Sequence, residues 1–100
     1  MKEIKIYLDP EQQIEADGRI VFEEIVAGEI TKKSIYVQNV IDYPINIEIE
    51  LEGKHINIVK TIDTIKYKET KEVVFEFTPK ITIIKPITAN LKIKINYIIT

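Results

Sequence analysis

The chain contains no cysteine. Disulfides and thiolate metal sites are therefore excluded, and stability has to come from a packed core. Serine occurs once, as Ser34, and histidine once, as His55. A nucleophilic serine needs an adjacent base, so Ser34 with His55 is the one serine–histidine pair the composition offers. Ser34 falls inside a predicted strand and not on a strand-to-helix elbow, while His55 follows Gly53-Lys54 in a turn. The simpler reading is a strand serine and an exposed turn histidine. Gly18, Gly28 and Gly53 are the only glycines and stand far apart, so there is no phosphate-cradling loop. With 14 basic against 16 acidic residues the net charge is −2, and no basic field exists to attract nucleic acid. No segment approaches the roughly 20 apolar residues of a membrane-spanning helix. The N-terminus alternates from Glu3 onward and lacks an apolar run of signal-peptide length. The expectation is a complete small protein of cytoplasmic or virion setting, with no cofactor and no metal.

What the chain has in excess is isoleucine, 23 residues of 100. Ile45, Ile47, Ile49 and Leu51 alternate with Asn46, Glu48, Glu50 and Glu52. Ala89, Leu91, Ile93, Ile95, Tyr97 and Ile99 alternate for the most part with Asn90, Lys92, Lys94 and Asn96. A period of two marks strands with one buried and one wet face, and branching at Cβ suits isoleucine to a pleated sheet. Thirteen lysines against one arginine, beside the isoleucine, fit either an AT-rich genome or a thermophile.

Residues 1–100 read as one all-β domain. Strands are predicted over 3–8, 19–25, 30–38, 45–52, 55–60, 70–77 and 88–99. Asp9-Pro10, Asp17-Gly18, Ala27-Gly28-Glu29, Gly53 and Thr78-Pro79 mark the turns. Residues 9–18 have room for at most a short helical turn. Residues 61–69 read as a loop in which Ile62, Ile65 and Tyr67 cap the core. Residues 81–84 read as extended, and Pro86 argues against a central strand there. Seven or eight strands with turn signals every 8–12 residues predict a β-sandwich with mainly antiparallel strands. Ile95 is placed in its core.

Several landmarks occur in a telling order: Phe22, then Gly28, then Ile35-Tyr36-Val37-Gln38-Asn39, then Pro44 followed by Ile45 and Ile47, and late in the chain Phe75-Glu76-Phe77-Thr78-Pro79. Over roughly residues 20–99 this resembles the immunoglobulin-like sandwich of the major sperm protein / abnormal-spindle–hydin type. The chain departs from that pattern before the sixth strand, where Tyr67-Lys68-Glu69-Thr70 stands in place of a Pro-Gly-Glu-like turn. The resemblance implies binding and scaffolding and carries over no catalytic residue.

Two acidic groupings invite a metal reading. Glu48, Glu50 and Glu52 share one strand face, for which the simpler account is a wet face partnered across strands by Lys92 and Lys94. Asp9, Glu11, Glu15 and Asp17 precede a glycine but miss the spacing of a calcium loop. Two apolar surface features invite a contact reading. The connection from Asn39 to Pro44 carries Val40, Ile41 and Tyr43, at a sandwich end where such folds bind partners. The simpler account of Ile41 or Tyr43 is a lid folded onto the core. The last strand ends in Tyr97, Ile98 and Ile99, and Ile98 interrupts the lysine face. Were that strand at an edge, its backbone would accept another chain, although edge lysines ordinarily prevent this.

The function expected from these features is a non-enzymatic structural or assembly protein acting through protein–protein contacts, such as a head-decoration or tail component of a virion. The alternative is an adaptor that grips a peptide or host protein by its loops or sheet edge. An enzyme with a hidden pocket ranks third, since small sandwiches fill their interior with side chains.

Overall fold

The structure, a computed structural model, describes residues 3–97. Seven antiparallel strands run through it: β1 (Ile4–Tyr7), β2 (Arg19–Phe22), β3 (Thr31–Asn39), β4 (Ile45–Gly53), β5 (Ile56–Ile65), β6 (Thr70–Phe77) and β7 (Ile87–Tyr97). They form two sheets, ordered β1-β3-β6 and β2-β7-β4-β5. No helix occurs among the described residues. The all-β sandwich predicted from periodicity is the observed architecture.

Alternation sets the layers. Ile45, Ile47, Ile49 and Leu51 of β4 are all fully buried, as are Ile35 and Val37 of β3 and Phe75 of β6. The rings of Phe22 and Phe77 meet edge to face, with centroids 5.5 Å apart, a geometry that aromatic quadrupoles favour. The intervening residues of β4 are polar and face solvent or lie near it. Register places Glu48 opposite Lys94 and Glu50 opposite Lys92, and Lys92 ion-pairs with Glu52. The acidic face of β4 thus lies beside the lysines of β7, and Glu52–Lys92 is the one ion pair between them among the described residues.

Strand bounds differ from the sequence reading where turn chemistry and strand chemistry compete. β5 runs on to Ile65, so Ile62 and Ile65 are strand residues rather than loop caps. Its Lys60, Thr61, Asp63 and Thr64 read as a polar loop, but β-branched threonine tolerates a strand whose outer face is wet. β5 absorbs one extra residue between its pairings Ile45↔Ile65 and Ile47↔Ile62, a bulge that breaks the period of two. Tyr67 caps nothing; it is exposed in the following turn. β2 stops at Phe22, and Ile25 instead pairs with Ile83 as an isolated bridge. That bridge ties down the long 78–86 connection, where Ile84 remains 81% exposed.

Residues 9–18 hold no helix. The Asp9 carboxylate accepts the backbone N–H groups of Gln13 and Ile14 at 3.0 and 2.8 Å, closing a tight turn. The chain then doubles back along β1, with Leu8 N–H donating to Ile14 O and Ala16 N–H to Ile6 O, both at 2.8 Å. Glycine is required at one crowded point. Gly53 ends β4 opposite Ala89, and a Cβ there would lie 3.0 Å from the Thr88 carbonyl oxygen and 3.2 Å from the Ala89 Cβ.

Candidate interaction surface

Asn39 is the only buried polar residue among those described. A buried amide is costly unless paired. Its Nδ2 donates to Tyr43 O at 2.7 Å and to Ile65 O at 2.9 Å, while its Oδ1 accepts from Ile41 N–H at 3.0 Å. Its backbone also bonds to the turn before β6, N–H to Glu69 O and C=O from Lys68 N–H. One side chain therefore fixes the 40–44 connection against the end of β5. Within that connection Ile41 packs on the core, Val40 is half-buried, and Tyr43 is 57% exposed. The lid account holds for Ile41 and fails for Tyr43.

Tyr97 lies at the same end of the sandwich, opposite Ile45 in the β4–β7 register. Its hydroxyl donates to Glu3 Oε1 at 3.0 Å, and the Val40 N–H donates to Glu3 O at 3.1 Å. Glu3 thus joins the loop carrying Val40, Ile41 and Tyr43 to the end of β7. The hydrogen bond to the Glu3 carboxylate, with some burial, raises the Tyr97 phenol above its ordinary pKa. Ile98 and Ile99 lie outside the described residues.

β7 is not the outermost strand of its sheet, contrary to the edge assignment considered from sequence. It is second, with β4 on one side and β2 on the other. β2, however, covers only Ile87 to Asn90. One more bond, Leu91 N–H to Gly18 O at 2.9 Å, ends the contact. Beyond it the chain of Gly18, Asp17 and Ala16 leaves β7 and crosses to β1 in the other sheet. No described strand pairs with the β2-side of β7 from Lys92 to Tyr97. In an antiparallel ladder a residue directs its N–H and C=O to the same neighbour, and successive residues alternate. Leu91 faces the β2 side, so the N–H and C=O of Ile93 and Ile95 face it too, where nothing described meets them.

This leaves a groove of roughly 320 Å³ between the two sheets. Ile4 and Ile6 of β1 form one wall, Leu91 and Ile93 of β7 the other, and residues 15–18 close one end. The Tyr97–Glu3 bond ties the sheets together toward the opposite end. Leu91, Ile93 and Ile95 point inward and touch the core, yet stay half-exposed. Ile95 is therefore not the fully buried core residue that its alternation suggested.

No family model, curated protein or solved structure matches this chain. The surface has to be read from its own atoms.

The chemistry-bearing residues do not converge. Ser34 sits mid-strand in β3 opposite Val74, and His55 is exposed in the β4–β5 turn with φ 66°. Ser34 belongs to one sheet and His55 joins two strands of the other. Asp9 is occupied by backbone amides, and among the described residues no group of three or more His, Asp or Glu side chains is placed to hold a metal. Sequence reasoning kept the 40–43 loop and the end of β7 apart; the structure joins them. The open groove it missed altogether, because nothing in the sequence says that β2 pairs with β7 for only four residues.

Proposed function

We propose that this chain is a non-enzymatic contact module, a structural or assembly component that works by binding protein. The observation that carries the reading is the open side of β7. Three inward-facing apolar side chains and an unpaired strand backbone sit beside an exposed tyrosine and a loop pinned by Asn39. A packed sandwich closes such a side with another strand, so an unclosed one suits an incoming chain. The separation of Ser34, His55 and the carboxylates favours contact over catalysis.

Light scattering behind a sizing column, over a wide concentration range, tests it. Mass that grows with concentration, and falls when Tyr43 and Tyr97 are both changed to Ser, supports the assembly form. A monomer of 11.6 kDa at every concentration removes self-assembly. It leaves the adaptor form, in which a different protein supplies the partner surface. That second form is favoured by Lys92 and Lys94, which flank the open edge and repel a second copy of it.

A further inference from the structure

Sheet edges in this molecule are not equally open. β5 is outermost along its whole length, but it carries the bulge near Asp63 and an exposed Lys60 at mid-strand. Both devices discourage strand pairing. β1 is covered by residues 14–16 doubling back along it. β2 is only four residues long. β6 meets β5 at the corner of the sandwich, where Lys71 Nζ donates to Thr64 O. Among the described residues, the stretch of β7 from Lys92 to Tyr97 has no such cover on its β2 side. It is regular and about 20 Å long at the rise of an extended strand.

Resting on the contact reading above, we propose that this stretch binds one extended peptide strand of another protein, with branched apolar residues alternating with acidic ones. Each half of that description answers a feature of β7. The N–H and C=O groups of Ile93 and Ile95 demand a strand backbone. The half-exposed side chains of Leu91, Ile93 and Ile95, with Ile4 and Ile6 opposite, demand apolar side chains on the inward face. Lys92 and Lys94 on the outward face demand carboxylates directly across. Lys92 already has Glu52 on its β4 side, whereas Lys94 forms no ion pair among the described residues.

The chain itself supplies the precedent. β4 is a strand of this composition, Ile47-Glu48-Ile49-Glu50-Leu51-Glu52, and it pairs with the other side of β7 with Glu48 opposite Lys94 and Glu50 opposite Lys92. The proposed ligand repeats on the open side what β4 does on the closed one. A second copy of β7 fails the same test: antiparallel pairing sets lysine against lysine or asparagine on the outer face. The lysines thus turn a generally sticky edge into a selective one.

The probe is a capped, fluorophore-labelled octapeptide of alternating Ile and Glu, titrated into the intact protein and followed by anisotropy. A matched peptide of alternating Ile and Lys is the control. The expected result is binding of the Glu peptide at least about tenfold tighter than the Lys peptide, with the preference reversed by Lys94→Glu. Lys94 is exposed, so that variant leaves the core intact. Amide hydrogen exchange locates the strand. In the free protein Ile93 and Ile95 exchange fast while Lys92 and Lys94, bonded to β4, exchange slowly; the Glu peptide protects Ile93 and Ile95.

Equal binding of the two peptides, or protection appearing at β5 instead, overturns the proposal. So does no binding at millimolar peptide. If the protein still assembles in light scattering when the peptide fails, strand addition at β7 is wrong and the contact reading survives. If it neither assembles nor binds, strand addition at β7 and self-assembly both fall, and the contact reading is reduced to an adaptor that grips by another surface.

Discussion

β4 and β7 are neighbours with nearly the same pattern, and they end up in different environments. β4 alternates Ile45, Ile47, Ile49 and Leu51 with polar residues and buries all four completely. β7 alternates Ala89, Leu91, Ile93 and Ile95 with polar residues and buries only the first completely. The difference is in what stands beside them. β4 has β5 and β7 along its whole length, whereas β7 loses β2 after Asn90. Periodicity tells which way a side chain points; the neighbouring strands decide how deep it lies.

Truncations along the two strands sharpen the contrast. Ile49→Ala should cost about 2–5 kcal/mol, the range for a fully enclosed isoleucine, read as a fall in the urea midpoint at unchanged slope. A cost below that range would show that β4 relaxes into the cavity. Asn39→Ala, at the end where both strands meet the loop, should cost about 2–4 kcal/mol, since it leaves a buried N–H and two carbonyls unpaired. Restoration of most of that loss by Asn39→Asp would instead assign the effect to shape. Ile93→Ala and Ile95→Ala should each cost only about 1–2 kcal/mol, because part of the removed surface is already wet. Losses matching Ile49→Ala would place an additional strand over them in solution and break the comparison.

The smallest effect concerns alkali. Tyr97 has a raised pKa when folded, mainly because its hydroxyl donates to Glu3. A raised folded value means that the protonated form is favoured, so this contribution is complete below the unfolded value near 10 and is lost as pH climbs through the folded one. Lys92, raised mainly by its bond to Glu52, behaves with the same sign. Thermal melts from pH 8 to 11 should therefore show a steeper alkaline decline in the native chain than in Tyr97→Phe. Superimposable profiles would mean that the Glu3 contact is too solvated to matter.

Much of the fold was legible in the sequence. The faces of β3, β4 and β6, the turns at Gly28 and Gly53, and the cross-strand pairing of glutamates with Lys92 and Lys94 follow from alternation and turn residues. The far half of β5 was not legible, because Lys60 stands at an inward position opposite Ile49, and the bulge between Ile62 and Ile65 then sets Asp63 and Thr64 where one residue is due, which erases the period. The candidate site was legible only in parts. Tyr43 and Tyr97 stood out as surface aromatics, but their junction through Glu3 depends on tertiary register. The role of Asn39 was hidden as well: a strand-terminal asparagine reads as a turn residue, and only the approach of Ile65 shows it to be a buried anchor.

A chain so rich in isoleucine has a folding problem that its native contacts do not advertise. Sliding β4 past β7 by two residues keeps every isoleucine facing the core, and in one direction it sets Glu50 opposite Lys94 and Glu52 opposite Lys92, so hydrophobic pattern and charge hardly distinguish the native alignment from that neighbour. The contact of Gly53 with Ala89 does distinguish it. A slipped ladder would bring Ile87 or Leu91 to the place where the backbones approach too closely for a Cβ on Gly53. The smallest residue in the strand thus acts as a reading mark on an otherwise repetitive ruler, and gives the landscape one minimum where the isoleucines alone would leave several.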